Sequence, residues 1–281
     1  MNMEQTEAFA PGNISCMFKI IPHRDPTKMH SLGMGFTVKE GAVVTVSEDN
    51  QTTVLFNSSE ICFPTVVSIV QKLTPQPMRV EIVSPLPLGC GFGLSGASAL
   101  ATAYAVNELL ELGRSEEQLA MTAHVAEVEN LTGLGDVCAQ YHGGCLVKLQ
   151  EGHPLAAERL PVPEQPVYYR YFGPIQTKEV LRDAEQKERI NRAADAALRG
   201  IEELMKSNSN SINFNECIKI SKSFALNSGL LRDRRVQHVI QEIENENGYA
   251  SMIMLGNAVF STQPFEGAKE TMLSIQKGRV L

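Results

Sequence analysis

The chain has 281 residues, 43% hydrophobic and 20% charged, proportions that fit a folded protein and exclude a disordered one. Its 25 Lys and Arg against 32 Asp and Glu leave a net charge of −7, so the basic footprint of a general nucleic-acid binder is missing and no nucleic acid is expected as partner. No apolar run approaches the roughly 18 residues of a membrane span, and the polar, acidic first residues do not read as a signal peptide. Six cysteines without a Cys-x-x-Cys spacing read as reduced thiols, not as a zinc site. A soluble cytoplasmic protein with no membrane partner is expected.

In chain order, residues 7–10 and 14–21 are predicted strands on either side of Pro11-Gly12. Residues 36–38 and 42–46 follow, with Lys39-Glu40-Gly41 as a hairpin-like break. Residues 63–73 have helical spacing, and 79–83 alternate as a strand that Pro85 and Pro87 end. A glycine-rich loop then opens an Ala/Leu-rich helix to residue 112, closed by Gly113. Ser115-Glu-Glu-Gln118 has the pattern of a capping box, so a second helix should run to about residue 130. Residues 131–144 read as loop with short structure, and 145–149 as a strand.

The Pro- and Glu-rich stretch 152–166 is the best linker and divides the chain into domains 1–160 and 161–281. Beyond it, 167–172 is a predicted strand, 178–205 mostly helix and 207–213 a polar loop. Residues 214–226 and 233–245 are helices, and 250–255 and 258–261 are strands around Gly256-Asn257. Strands and helices mix without strict alternation, which favours α+β over a doubly wound sheet.

Gly89, Gly91, Gly93 and Gly96 place four glycines in eight residues between a strand and a helix. Glycines there let the backbone approach a ligand, and the free N–H groups of a helix's first turn attract anions, so phosphate is the natural guest. The Walker A pattern is absent, because no Lys-Ser or Lys-Thr follows. Gly91-x-Gly-x-x-Gly96 matches the dinucleotide fingerprint in its letters only. Two prolines separate it from its strand, and Glu116 and Glu117 open a helix where a strand-ending acid is expected about 20 positions on. A dinucleotide-dependent oxidoreductase is therefore a distant alternative.

The stretch Pro87-x-Gly-x-Gly-Phe-Gly-Leu-Ser95-Gly-Ala resembles the phosphate loop of the GHMP kinases, whose pattern is Pro-x-Gly-x-Gly-Leu-Gly-Ser-Ser-Ala. Pro11-Gly12 resembles that family's N-terminal motif, and Gly135-Asp136 ahead of Gly143-Gly144 its aspartate-bearing segment. Within the family the chain is most similar to the archaeal pantoate kinases. That likeness rests on Ala8-Phe9-Ala10-Pro11-Gly12-Asn13-Ile14-Ser15, Asp25-Pro26, Ser31-x-Gly-x-Gly35, Gly133-Leu134-Gly135-Asp136, Phe172-Gly173-Pro174-Ile175 and Ser251-Met252-x-Met-Leu-Gly256-Asn257.

The resemblance implies a two-lobed GHMP kinase fold. Its N-terminal lobe would contain a left-handed β-α-β crossover, and its C-terminal lobe would be ferredoxin-like α+β. It further implies phosphorylation of the 4-hydroxyl of pantoate by ATP with Mg2+, in coenzyme A synthesis, and a homodimer. Alternatives are a GHMP kinase for a homoserine- or mevalonate-like alcohol, or a non-catalytic ligand sensor on the same fold.

By the same resemblance, Pro87, Gly89, Gly91, Gly93, Leu94, Gly96 and Ala97 cradle phosphate, and the Ser95 hydroxyl reaches the phosphates and magnesium. Magnesium also wants a carboxylate, from Glu127 or Glu129. On a helix Glu127 falls beside the Ala120 and Ala123 stripe, on the side shared with His124, whereas Glu129 falls near Thr122 and Gln118. Glu127 is preferred, and the family's Ala-His-x-Ala-Glu pattern agrees. Asp136 is the catalytic carboxylate that accepts or orients the proton of the substrate hydroxyl. Pantoate carries a carboxylate and two hydroxyls, for which the resemblance proposes Ser31, His124 and Lys148. Asn13 stands where the family has His, so no cation acts from that position. Lys148 stands for an Arg, keeping the charge and losing the bidentate fork.

Overall fold

The computed structural model describes residues 4–175, 177–207 and 211–281. Two long antiparallel strands form its spine, β1 (Gln5–Ile21) and β2 (His30–Glu48), paired from Gln5↔Ser47 to Ile21↔His30. Each was expected as two short strands, and each is continuous. Pro11 has no N–H to give the ladder, and register shifts between Pro11 and Asn13 and between Ser15 and Met17 absorb the fault as bulges. Gly41 is no turn residue, because a Cβ there would lie 2.0 Å from the Ala10 carbonyl oxygen across the ladder.

After β2 come β3 (Thr53–Phe56), β4 (Ser59–Glu60), α1 (Pro64–Leu73) and β5 (Met78–Val83). β5 pairs with β2, and β3 pairs with β5 in parallel, so α1 lies in a β-α-β connection. Then follow α2 (Leu94–Leu109), α3 (Glu116–Asn130), α4 (Asp136–His142), β6 (Cys145–Lys148) and β7 (Glu158–Arg159). α2 is buried from Leu94 through Ala105 to Val106 with Ser95 half-buried, and its alanines let it sit between the β1–β2 ladder and the neighbouring helices. It ends at Leu109, three residues early; Glu111 (φ 48°) takes the left-handed turn there, ahead of Gly113. Ser115 and Gln118 make the expected capping box at the start of α3.

The remaining elements are β8 (Gln165–Pro174), α5 (Thr177–Arg182), α6 (Ala184–Ser207), α7 (Phe214–Asn227), α8 (Arg234–Asn245), β9 (Ala250–Met252), β10 (Gly256–Ser261), β11 (Lys269–Leu273) and β12 (Arg279–Val280). Part of the polar loop expected at 207–213 lies outside the described residues. The order β11-β8-β10-β9 forms an antiparallel sheet joined to β2 through Leu273↔Val38. α6 buries Ile190, Ala194, Ala197 and Ile201 at helical spacing. Phe36 of β2 meets Phe214 and Phe260 edge-on or tilted at 5.1 and 5.5 Å, so both halves share one core.

The α+β class and the two-lobed arrangement agree with expectation. β11 and β12 were not foreseen, since their short, partly charged sequences carry no alternation. β12 returns to the first sheet, pairing Val280 with Ala8. Among the described residues no helix is long and apolar enough to cross a membrane. All six cysteines are free thiols.

Candidate active site

The chain leaves β5 and reaches α2 through a loop whose turns need left-handed backbone. Gly89, Gly91 and Gly93 have φ of 77°, 86° and 59°, a region that L side chains avoid. Gly93 is the N-cap of α2 and offers no side chain to the first-turn amides, which leaves those N–H groups for a ligand. The turn between β9 and β10 presses on this loop. A Cβ at Gly91 would stand 2.7 Å from the Met254 carbonyl, and one at Gly256 2.0 Å from that of Cys90.

Glu127 lies in the last turns of α3, only 1% exposed. Thr132 donates to its Oε1 at 2.6 Å, and Thr65 lies 3.0 Å from the Thr132 hydroxyl. Its Oε2 has no partner. Burial, and then the nearby Asp136 charge, push Glu127 up to about 7, while the Ser95 and Thr132 hydroxyls hold it back. The Ser95 hydroxyl, though near enough to temper that shift, makes no well-formed hydrogen bond. Glu129 is at the surface, ion-paired with Lys72 at 2.8 Å.

Asp136 is the first residue of α4. The Asn13 amide donates to its Oδ1 at 2.7 Å. Burial raises its pKa, and hydrogen bonds from Asn13 and Ser15 act against that rise. Among the described residues seven buried side-chain atoms lack a partner, and four of them are here: Asn13 Oδ1, Ser95 Oγ, Glu127 Oε2 and Gln140 Oε1. Buried oxygens without partners cost stability unless something fills the site. A hydroxyl and a carboxylate oxygen fit a hard cation such as magnesium, which takes few protein ligands and completes its shell with water and phosphate. Among the described residues no cluster of three His, Cys, Asp or Glu offers a zinc-type cage.

A cleft of about 560 Å³ opens over this centre, lined among others by Thr65, Gly91, Ser95, Asp136, Lys178 and Leu255. On the other side of Asp136 are two chambers of about 60 and 40 Å³ that share Ser15, Phe18, Ser31 and Gly135. Ser31 packs over Gly135, where a Cβ would come within 2.5 Å of its hydroxyl. Lys148 lines the larger chamber and donates to the carbonyls of His153 and Pro154. Burial lowers its pKa. His124 lines neither chamber: its Nε2 is 2.9 Å from the Met29 carbonyl, and burial drives its pKa down to about 4, so the ring is neutral.

The structure thus gathers Ser95, Glu127 and Asp136 around the glycine loop, and places Ser31 and Lys148 in an adjoining chamber that His124 does not line. Three contributors carried no assigned role in the sequence. Asn13 acts as a neutral donor to Asp136, Thr132 orients Glu127, and Gln140 donates to the Gly93 carbonyl. Gln140 stands four residues after Asp136, and that one-turn spacing was a usable signal. Thr132 lies past the helix end and gave none.

Known proteins resemble this chain throughout its length. The family described as "GHMP kinases N terminal domain" matches residues 62–144. The pantoate kinase of Methanocaldococcus jannaschii is 32% identical over 97% of this chain and 98% of its own. That of Thermococcus kodakarensis is 30% identical over 94% and 89%. A homoserine kinase from Sulfurisphaera tokodaii, 34% identical, matches only 30% of the chain. Among solved structures, a "phosphotransferase related to CoA biosynthesis pathway" superposes with a TM-score of 0.84 over 99% of both chains at 25% identity. A mevalonate diphosphate decarboxylase from Enterococcus faecalis shares the fold, with a TM-score of 0.72 at 14% identity.

Proposed function

We propose that this chain, which belongs to the pantoate kinase family of the GHMP kinases, transfers the γ-phosphate of ATP to the 4-hydroxyl of pantoate. The products are 4-phosphopantoate and ADP, and the reaction serves coenzyme A synthesis. One observation of the structure carries the reading: the unpartnered Ser95 and Glu127 oxygens and the Asp136 carboxylate converge where the first-turn amides of α2 are free.

Phosphoryl transfer depends on alignment and charge neutralisation more than on covalent chemistry. The triphosphate lies along residues 87–97, against the backbone N–H groups at the head of α2, with the nucleoside in the large cleft. Ser95 Oγ and the Glu127 carboxylate would hold Mg2+, which supplies positive charge to the transferring group. Asp136 faces the acceptor side and accepts the hydrogen bond of the 4-hydroxyl, aligning it for in-line attack. Asn13 keeps that carboxylate turned and opposes the rise that burial gives its pKa, without adding a charge. The Lys148 ammonium has three donors and spends two on carbonyls, which leaves one for the substrate carboxylate. Ser31 offers a hydroxyl, and His124 supports the wall behind.

The same reading makes residues 1–160 and 161–281 the two lobes, apart from the returning β12. It gives the enzyme a cytoplasmic setting, where ATP is made and six thiols stay reduced, and a homodimeric state. The test is an assay of ADP release with pantoate, homoserine and mevalonate in parallel. Turnover of pantoate alone is expected; turnover only of another alcohol would overturn the substrate.

A further inference from the structure

The glycines of the phosphate loop do not all face the nucleotide. Gly89, Gly91 and Gly93 take left-handed turns, but Gly93 and Gly96 also both meet the buried side chain of Gln140, with Asp136 beside each and Glu127 beside Gly96. Gln140, 0% exposed, donates from Nε2 to the Gly93 carbonyl at 2.7 Å. A Cβ at Gly93 would lie 3.1 Å from that same nitrogen and 3.0 Å from Asp136 Oδ1. A Cβ at Gly96 would lie 2.8 Å from Gln140 Oε1. The amide therefore lies flat on the first turn of α2, its nitrogen at the capping residue and its oxygen over the Gly96 Cα. Oε1 has no conventional donor; its neighbour is the Cα–H face of Gly96, a weak contact at most.

We infer that Gln140 is a positioning residue that locks the phosphate loop to the helix bearing the catalytic carboxylate, and that Gly96 is a glycine to admit its amide. The Gly93 carbonyl already receives the Ala97 amide at 3.0 Å, the first bond of α2. Gln140 adds a second bond to the same oxygen and so fixes the residue whose left-handed turn aims the free N–H groups. Asp136 stands one turn before Gln140 on α4, so a single rigid turn sets both the phosphate cradle and the acceptor carboxylate. The backbone of Gln140 is tied in turn: its carbonyl accepts the Gly278 amide at 2.9 Å, where the C-terminal segment crosses α2. Gln140 does not line the nucleotide cleft, so its effect on substrate passes through the loop.

This inference rests on the nucleotide lying at the loop, and the experiment separates the two. Calorimetric titration of the full-length wild-type protein with ADP comes first; if no binding is seen, both this inference and the proposed function fail. Given wild-type binding, Gln140→Met keeps the volume and removes both polar atoms. Losing a buried hydrogen bond to the loop should raise the Kd for ADP and the KM for ATP about tenfold. The KM for pantoate should stay within twofold and kcat at saturating ATP within about threefold. Unchanged nucleotide affinity in the folded variant would overturn the inference, as would equal losses for both substrates.

A second arm does not depend on that variant alone. Gly96→Ala should cost more than tenfold in ADP affinity with Gln140 present and clearly less in a Gln140→Ala background, where the colliding oxygen is gone. Equal costs in the two backgrounds would show that Gly96 does not make room for Gln140, and would also overturn it.

Discussion

The two sides of Asp136 are built differently. On the side proposed for the nucleotide the cleft is wide, and Ser95 Oγ, whose residue lines it, and Glu127 Oε2 have no partners in the protein. On the acceptor side the chambers are small, and the cationic and imidazole groups already hold protein carbonyls: Lys148 those of His153 and Pro154, His124 that of Met29. The first side stores unsatisfied polarity at the protein's cost, which a bound phosphate and metal would relieve. On the second side most polar groups already hold protein partners; the free atoms are Asn13 Oδ1 and the third Lys148 donor. On the proposed reading, preorganisation lies more with the nucleotide than with the alcohol.

The sharpest way to break this comparison is at the carboxylate between the two sides. Asp136→Asn keeps the shape and removes the acceptor, and kcat should fall by ~10² to 10⁴. ADP affinity measured by calorimetry should move little. A variant that turned over at the wild-type rate would remove Asp136 from the chemistry.

Next is Glu127→Gln, which should lower kcat about a hundredfold or more and yet raise Tm at pH 8. The folded pKa of about 7 lies above the ordinary 4.5, so the native state favours the protonated form. The penalty for the charge is absent below about pH 4.5, grows through 7 and is full above it, up to roughly 3 kcal/mol. Gln carries no such charge, and thermal melts at pH 8 and pH 5 should show a much larger gain at the higher pH. By the same sign, magnesium-dependent ADP binding to the wild type should weaken as pH falls below about 7, and Glu127→Gln should lack that limb.

A smaller effect should confine itself to the acceptor side. Lys148→Met should raise the KM for pantoate about tenfold and leave that for ATP within twofold, as steady-state kinetics with each substrate varied will show. Lys148→Arg should recover most of the loss, because a guanidinium pairs a carboxylate through two donors. Smallest of all is Glu129→Gln. An exposed ion pair such as Lys72–Glu129 is worth about 0–1 kcal/mol, so activity should stay within twofold and Tm within a few degrees. That outcome sharpens the contrast with its buried neighbour two residues earlier.

Much of this was legible before any coordinates. The glycine loop, the capping box that starts α3, the inward face of Glu127 against the outward one of Glu129 and the Gly135-Asp136 turn are local patterns, set by backbone freedom and helical period. The sequence also carried β8, β9, β10 and the long helices of the second half, where apolar spacing is regular, but not β11 and β12. It misled at Pro11-Gly12 and at Lys39-Glu40-Gly41, because a proline or glycine marks a turn and a bulged crossing with the same letters. Only the neighbouring strand tells them apart, as the 2.0 Å approach to the Ala10 carbonyl shows for Gly41.

What the amino-acid order determined by itself is the chemistry available: which hydroxyl, which carboxylates and which flexible backbone stand near one another along the chain. What the tertiary structure alone decided is who partners whom across long separations. Asn13 reaches Asp136 over 123 positions, and the chain end returns as β12 to the strand where it began. Local spacing encodes the face of a helix, but a hydrogen bond between distant segments exists only once the core has brought them together. For that reason the donor that steadies Asp136, the amide that seats the phosphate loop and the neutral ring of His124 became visible in three dimensions and not in one.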